Sequence, residues 1–220
     1  RADMRVVDGH KGPVRWQVAV AGRAAESSMA RLGVNSITFA VMVLGELKQI
    51  ETDLQVKMHD PRFDPPYPTL QVTTIEGGTA SNIVPVWCRF GFEIRSMPGL
   101  DIEAIETRLK RFVERVCLPP MRATAPEAGV TMTRKNYVPP FGSSEGSEAV
   151  ALALALAGQN ETFAVSYATE AGLFQDAGAP SVVCGPGSIA QAHTANEWIA
   201  VAELDKCLDF MDRLADWCAN

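Results

Sequence analysis

The sequence lacks any basic run, and that removes a first group of functions. Its 20 lysines and arginines are outnumbered by 26 aspartates and glutamates, for a net charge of −6. A surface for nucleic acid or anionic membrane needs clustered positive charge, so neither partner is expected. Long apolar runs are missing too. The longest unbroken one spans residues 149–157, far short of the ~20 residues that cross a bilayer as a helix. Cysteine is sparse: five residues, none in a C-x-x-C pair. An odd, unpatterned set reads as reduced thiols, and the expected compartment is the cytoplasm. What is present is ordinary globular material, 47% apolar and 21% charged over 220 residues, enough for one or two domains of ~100–200 residues each. The first residue is arginine, and residues 1–8 read as the middle of something, with 4–7 ending a strand. The expectation is a piece of a longer chain whose catalytic site is split.

Residues 11–22 alternate Val14, Trp16, Val18 and Val20 with Arg15, Gln17 and Ala19, the period of a half-buried strand. In residues 33–50 the apolar positions Ile37, Ala40, Val41, Leu44 and Leu47 recur at helical spacing, and Asn35 or Ser36 can cap the helix. Residues 60–68 (DPRFDPPYP) are loop. Strands follow at 69–76 and 86–95, with Gly77-Gly78 marking a hairpin or bulge between them. Asp101 caps a second helix with Ile102, Ile105, Leu109, Phe112 and Val116 on one face, and residues 130–134 form a last short strand. The order β-α-β-β-α-β over residues 11–135 predicts a ferredoxin-like domain, both helices on one face of an antiparallel sheet.

The remainder has a different texture. Helices are expected at 144–157, at 169–177 before Gly178, and at 201–217, the last with Leu204, Cys207, Leu208, Met211 and Leu214 inward and Asp205, Asp209, Asp212 and Asp216 outward. Short strands are expected at 162–166 and 181–184, the second apolar, buried and followed by Gly185-Pro186-Gly187. Alternating strands and helices suggest part of a mostly parallel α/β sheet. Two or three strands are too few to close one. The expected division is therefore residues 1–10, the end of a preceding segment, then 11–135, then 136–220.

Few residues advertise chemistry. Gly142-Ser143-Ser144-Glu145-Gly146 fits G-x-S-x-G, but a nucleophile elbow needs a buried strand before it, and Pro139 and Pro140 argue against one. A helix N-cap at Ser143 or Ser144 is the better reading. His10 and His59 lie in polar segments and are expected to be solvated. His193 follows an apolar strand and a glycine loop, where α/β sheets bind ligands. It reads as a metal ligand or as a satisfied loop histidine, and a catalytic zinc needs at least three protein ligands. Asn82 and Arg95 flank the second hairpin strand. An arginine fork with an amide donor suits a carboxylate, while a surface ion pair is the plainer reading of Arg95.

Several segments occur together in a fixed order: Val7-Asp8-Gly9-His10-Lys11-Gly12, Gly33-Val34-Asn35, Gly77-Gly78 to Asn82-Ile83-Val84-Pro85, Phe92-Glu93-Ile94-Arg95, Tyr167-Ala168-Thr169-Glu170-Ala171-Gly172, and Cys184-Gly185-Pro186-Gly187 to Ala192-His193. With these the chain resembles the acetylornithine deacetylase branch of the M20 family of dinuclear-zinc amidohydrolases. The resemblance implies a zinc-binding α/β domain interrupted by a lid or dimerisation domain of ferredoxin-like topology, hence a homodimer. It implies hydrolysis of the amide of a small N-acyl amino acid at two zinc ions, with cobalt as a substitute. Most of the family's ligands and its general base belong to an N-terminal half not present here. Only its last metal-binding histidine carries over, onto His193, so the chain alone is expected to be inactive and to hold no metal tightly. Asn82 and Arg95 would grip the substrate carboxylate, from the neighbouring subunit. Thr169, Glu170, Gly185 and Gly187 would line the pocket. Where the family has a lid histidine that stabilises the oxyanion, this chain has Glu26, which offers only acceptors when ionised. The alternatives are a non-catalytic dimerisation module, or a relative acting on another N-acyl amino acid or dipeptide.

Overall fold

A computed structural model describes residues 2–219. It divides into two units: Arg1–Gly12 with Pro61–Asp64 and Val138–Asn220, and Pro13–Asp60 with Pro65–Tyr137. We call these the first and second units. Along the chain the second is inserted into the first.

In the second unit the alternation at residues 14–20 builds strand β2 (Gly12–Ala21), after the short strand β1 (Val7–His10) of the first unit. Val14, Trp16, Val18 and Val20 are at most 2% exposed. Helix α1 (Ser36–Lys57) is capped by Asn35, whose side-chain oxygen accepts from the Thr38 N–H at 3.1 Å. It runs seven residues beyond the expected end, because Ile50 and Leu54 continue a buried stripe through Ser36, Ala40, Val43 and Leu47. That stripe steps by four and three residues, which rotates Val41 onto the outer side, where it is exposed. Strands β3 (Thr69–Gly77) and β4 (Trp87–Ser96) form the expected hairpin. Gly78, at a φ of 78°, turns the chain out of β3.

Helix α2 (Ile102–Phe112) is capped by Asp101, which accepts from the Ala104 N–H at 2.9 Å. A wide π-type turn at Val113–Cys117 then links it to α3 (Leu118–Thr124), with prolines in the first turn of α3. The wide turn inserts a residue into the helical register. Cys117 therefore takes the core place expected of Val116, which is exposed. Strand β5 (Gly129–Tyr137) completes a sheet ordered β3-β4-β2-β5, with β3/β4 and β2/β5 antiparallel. This is the ferredoxin-like arrangement. Phe90, Phe92 and Ile94 of β4 join the residues of β2, α1 and α2 in one core. Trp16 stacks on Phe92 at 4.8 Å, and its indole N–H donates to Glu106 at 2.6 Å. Glu106 also accepts from Arg134 of β5 at 2.7 Å. Burial pushes the Glu106 carboxyl up, but these bonds and the Arg134 charge outweigh burial and hold it below the usual carboxylate range.

The first unit holds a three-stranded sheet, β6 (Phe141–Gly142), β1 and β7 (Phe163–Val165), in the order β6-β1-β7. Helices α4 (Glu148–Ala157), α5 (Ala171–Asp176) and α6 (Val201–Ala219) accompany it. Three expectations fail here. The segment at 181–184 is no strand: Val183 makes one bridge, to Val7, and the segment is half-buried. Helix α4 starts at Glu148, and neither Ser143 nor Ser144 caps it; the Ser143 hydroxyl donates to the Ser181 carbonyl at 3.0 Å. On α6, Leu204, Leu208 and Met211 are 43%, 61% and 51% exposed, because among the described residues no element of the unit covers that face. Residues 61–64 are loop, as expected, and one side chain of that loop is buried. Phe63 is 3% exposed and packs near Gly9 and the Lys11 ammonium, which lies 5.8 Å from its ring.

Candidate functional site

The second unit places Glu26 beside Asn82. Glu26 bridges Ile83 as an isolated pair, and the Ser27 N–H donates to the Asn82 carbonyl at 2.9 Å. Both side chains face solvent. The Ser28 hydroxyl and N–H hold the Glu26 carboxyl below its ordinary range, with help from Ser27 at 3.5 Å. It is therefore a fixed negative charge at neutral pH. Arg95 stands at the other end of β4, paired with Thr69. Asn82 precedes that strand, so the two are separated by about 25 Å at the usual rise per strand residue. Within one protomer they do not meet on a small carboxylate. Arg95 instead donates to Glu93 at 2.6 Å, and Glu93 also receives Arg15 at 2.5 Å.

In the first unit Thr169 and Glu170 lead into α5. The Thr169 hydroxyl accepts from the Ala171 N–H at 3.1 Å, and the Glu170 carbonyl accepts from Leu173 and Phe174 at 2.9 and 3.2 Å. Thr169, Glu170 and Phe174 line a cleft of about 520 Å³ together with Pro180 and the segment through Cys184. Gly185 and Gly187 follow that segment. The Gly185 carbonyl accepts from Ala2 and Met4, the Gly187 carbonyl accepts from Asp3, and the Gly187 N–H donates to Glu203 at 3.2 Å. The loop thus holds the first described residues of the chain. His193 is exposed, in a left-handed conformation at a φ of 57°, with its N–H donating to Glu197 at 3.1 Å. Among the described residues no group of three histidine, cysteine, aspartate or glutamate side chains is placed to hold a metal ion. These residues do not fit a two-metal centre by themselves, and His193 offers one ligand.

Two residues escaped the sequence reading. His10, expected to be solvated, is fully buried against Phe141, with ring centroids 5.4 Å apart. Lys11 is 1% exposed, and burial pushes its ammonium below the usual lysine range against the charge of Asp64. A signal existed. His10 ends β1 and Lys11 follows it, the pair lying between Gly9 and Gly12, and a Cβ at Gly12 would stand 2.1 Å from the Val138 carbonyl oxygen. A glycine at such a position marks close backbone approach.

The fold and its residues define a class: an α/β unit whose chain is interrupted by a ferredoxin-like domain. The sequence matches the peptidase dimerisation domain of the M20 group over residues 8–119, and the chain belongs to the M20 family. It is 30% identical over 208 residues to acetylornithine deacetylase of Aliivibrio salmonicida, covering 94% of this chain and 53% of that protein. The chain spans about half the length of the curated relatives it matches. Among solved structures it resembles aminopeptidase PepT from Bacillus cereus (TM-score 0.69, 22% identity, 96% of this chain and 53% of that one). A tripeptidase from Staphylococcus aureus is also similar (TM-score 0.66, 22% identity, 94% and 51%). At these identities the two structures speak for the fold alone. No described helix is long and apolar enough to cross a membrane, and all five cysteines are free thiols.

Proposed function

We propose that this chain is the lid and C-terminal part of an M20 amidohydrolase that, at full length, removes the acyl group from a small N-acyl amino acid such as N-acetylornithine. The observation that carries this reading is the match to acetylornithine deacetylases across nearly the whole chain. Zinc, or cobalt in its place, would polarise the amide carbonyl and activate water in such an enzyme; this chain would contribute His193 as one ligand. Arg95 would bind the substrate carboxylate after exchanging its bond to Glu93. Asn82 and Glu26, at the far end of β4, would reach the site of a partner subunit. Glu170 would stand at the rim of the cleft beside α5.

The full-length protein, loaded with zinc, is expected to hydrolyse N-acetylornithine, and the 220-residue chain alone is not. Turnover by the short chain, or none by the metal-loaded full-length protein, would sink the reading. Glu26→His in the full-length enzyme should raise kcat about 10²-fold by adding an oxyanion donor. A fall would mean that Glu26 meets a cationic part of another substrate.

The ionised Glu26 favours a second reading, a dimerisation module without catalysis. Both readings require a homodimer through the lid. Strand β3 is the edge that suits a second copy: Val72 and Ile75 are 42% and 55% exposed, and β3 lies within the matched dimerisation domain while β5 does not. Ile75→Lys should weaken dimerisation at least tenfold in sedimentation. An unchanged dimer would place the interface elsewhere.

A further inference from the structure

His10 is a buried histidine with no role in the reading above. It ends β1, completely covered, and its Nδ1 lies 3.0 Å from the Lys11 carbonyl oxygen. A carbonyl oxygen only accepts, so Nδ1 carries the proton. The lone pair is then on Nε2, which lies 3.4 Å from the backbone nitrogen of Thr169. That N–H donates to the ring. The opposite tautomer would set two donors against each other, as would the imidazolium. Desolvation keeps the ring neutral by lowering its pKa, against the weaker opposing pull of Glu170 and of the backbone carbonyls.

The ring therefore holds a short chain of contacts in register. Thr169 is pinned through its N–H, its hydroxyl accepts from Ala171 at 3.1 Å, and α5 begins there. Glu170, between the two, is exposed on the rim of the 520 Å³ cleft. We propose that His10 is a positioning residue: as the Nδ1–H tautomer it fixes the turn at Thr169 and Glu170 and so sets where the Glu170 carboxylate stands in the cleft. The value of this for catalysis rests on the reading of that cleft as part of the substrate site. The placement of the turn does not.

The native chain, labelled with ¹⁵N, tests this without mutation. The His10 ring should show a protonated Nδ1 and an unprotonated Nε2 at neutral pH, the latter coupled through the hydrogen bond to the Thr169 amide nitrogen. A protonated Nε2 overturns the proposal. Two variants separate positioning from packing. An asparagine amide reaches only as far as Nδ1, whereas a glutamine carbonyl reaches as far as Nε2. Exchange of the Thr169 amide should quicken about tenfold in His10→Asn and stay within about twofold of native in His10→Gln, as expected for the loss or retention of one buried hydrogen bond. Equal exchange in both variants would mean that His10 only fills space. In the full-length enzyme the same asparagine change should raise KM for N-acetylornithine and leave kcat nearly unchanged. Faster exchange with unaltered KM upholds the positioning and overturns the reading of the cleft. Unaltered exchange overturns the positioning, whatever the kinetics.

Discussion

The two units bury their apolar residues to different degrees. In the second, two helices and the wide turn close over one face of a four-stranded sheet, and Val14, Leu47, Phe90, Phe92, Ile94 and Leu109 are at most 2% exposed. In the first, α6 buries no residue at all and turns Leu204, Leu208 and Met211 outward. Both contain amphipathic helices. An apolar stripe therefore states that a face can be buried, and only the surrounding elements decide whether it is.

The sharpest way to break this contrast is to remove a ring from the closed core. Phe92→Ala deletes the partner of Trp16 and should cost about 3–5 kcal/mol in urea unfolding of the chain. A cost below 1 kcal/mol would show that the second unit is no better packed than the first. Next comes Glu106→Gln, which keeps the shape but removes the charge that receives Trp16 and Arg134. A loss of about 1–3 kcal/mol is expected.

Acid should separate the units in sequence. The folded pKa of His10 lies below its ordinary value of 6.5, so the unfolded chain takes up the proton first, and the stability His10 contributes is lost as pH falls below that value. Glu106 is held below its ordinary 4.5, and its contribution persists until pH falls past that point. Hydrogen exchange at pH 5.5 should show β1, β7 and α5 loosening while β2 and β4 stay protected. Simultaneous loosening would erase the distinction. The smallest effect is expected from Leu208→Ala on α6, within about 0.5 kcal/mol as for most surface changes.

Legibility in the sequence followed the same line. The ferredoxin-like order, the caps Asn35 and Asp101 and the alternation of β2 were all readable, because each is set by neighbours a few residues away. Val41 and Val116 were misassigned because a stripe of mixed spacing and one inserted residue rotate a helix face, which composition does not announce. Among site candidates, residue types were legible and meetings were not. Nothing local reveals that Asn82 lies beside Glu26 while Arg95 sits at the far end of β4. His10 looked solvated because its flanking glycines resemble a loop. Gly12 is there for tight packing, as the 2.1 Å approach at its Cβ position demonstrates, while Gly9 meets only ordinary contacts at 3.5 Å.

The excursion at Pro61–Asp64 bears on how the lid can be cut out for study. The Asp60 N–H donates to the Pro66 carbonyl at 2.8 Å, so the chain leaves and re-enters the second unit at nearly the same point. An excised lid that keeps residues 61–64 would carry Phe63 into water, a sticky ring at the tip of a proline-stiffened finger. Replacing those four residues with a short glycine-serine bridge spans the same closed neck and removes the ring. The bridged domain should stay soluble at concentrations where the unbridged one precipitates.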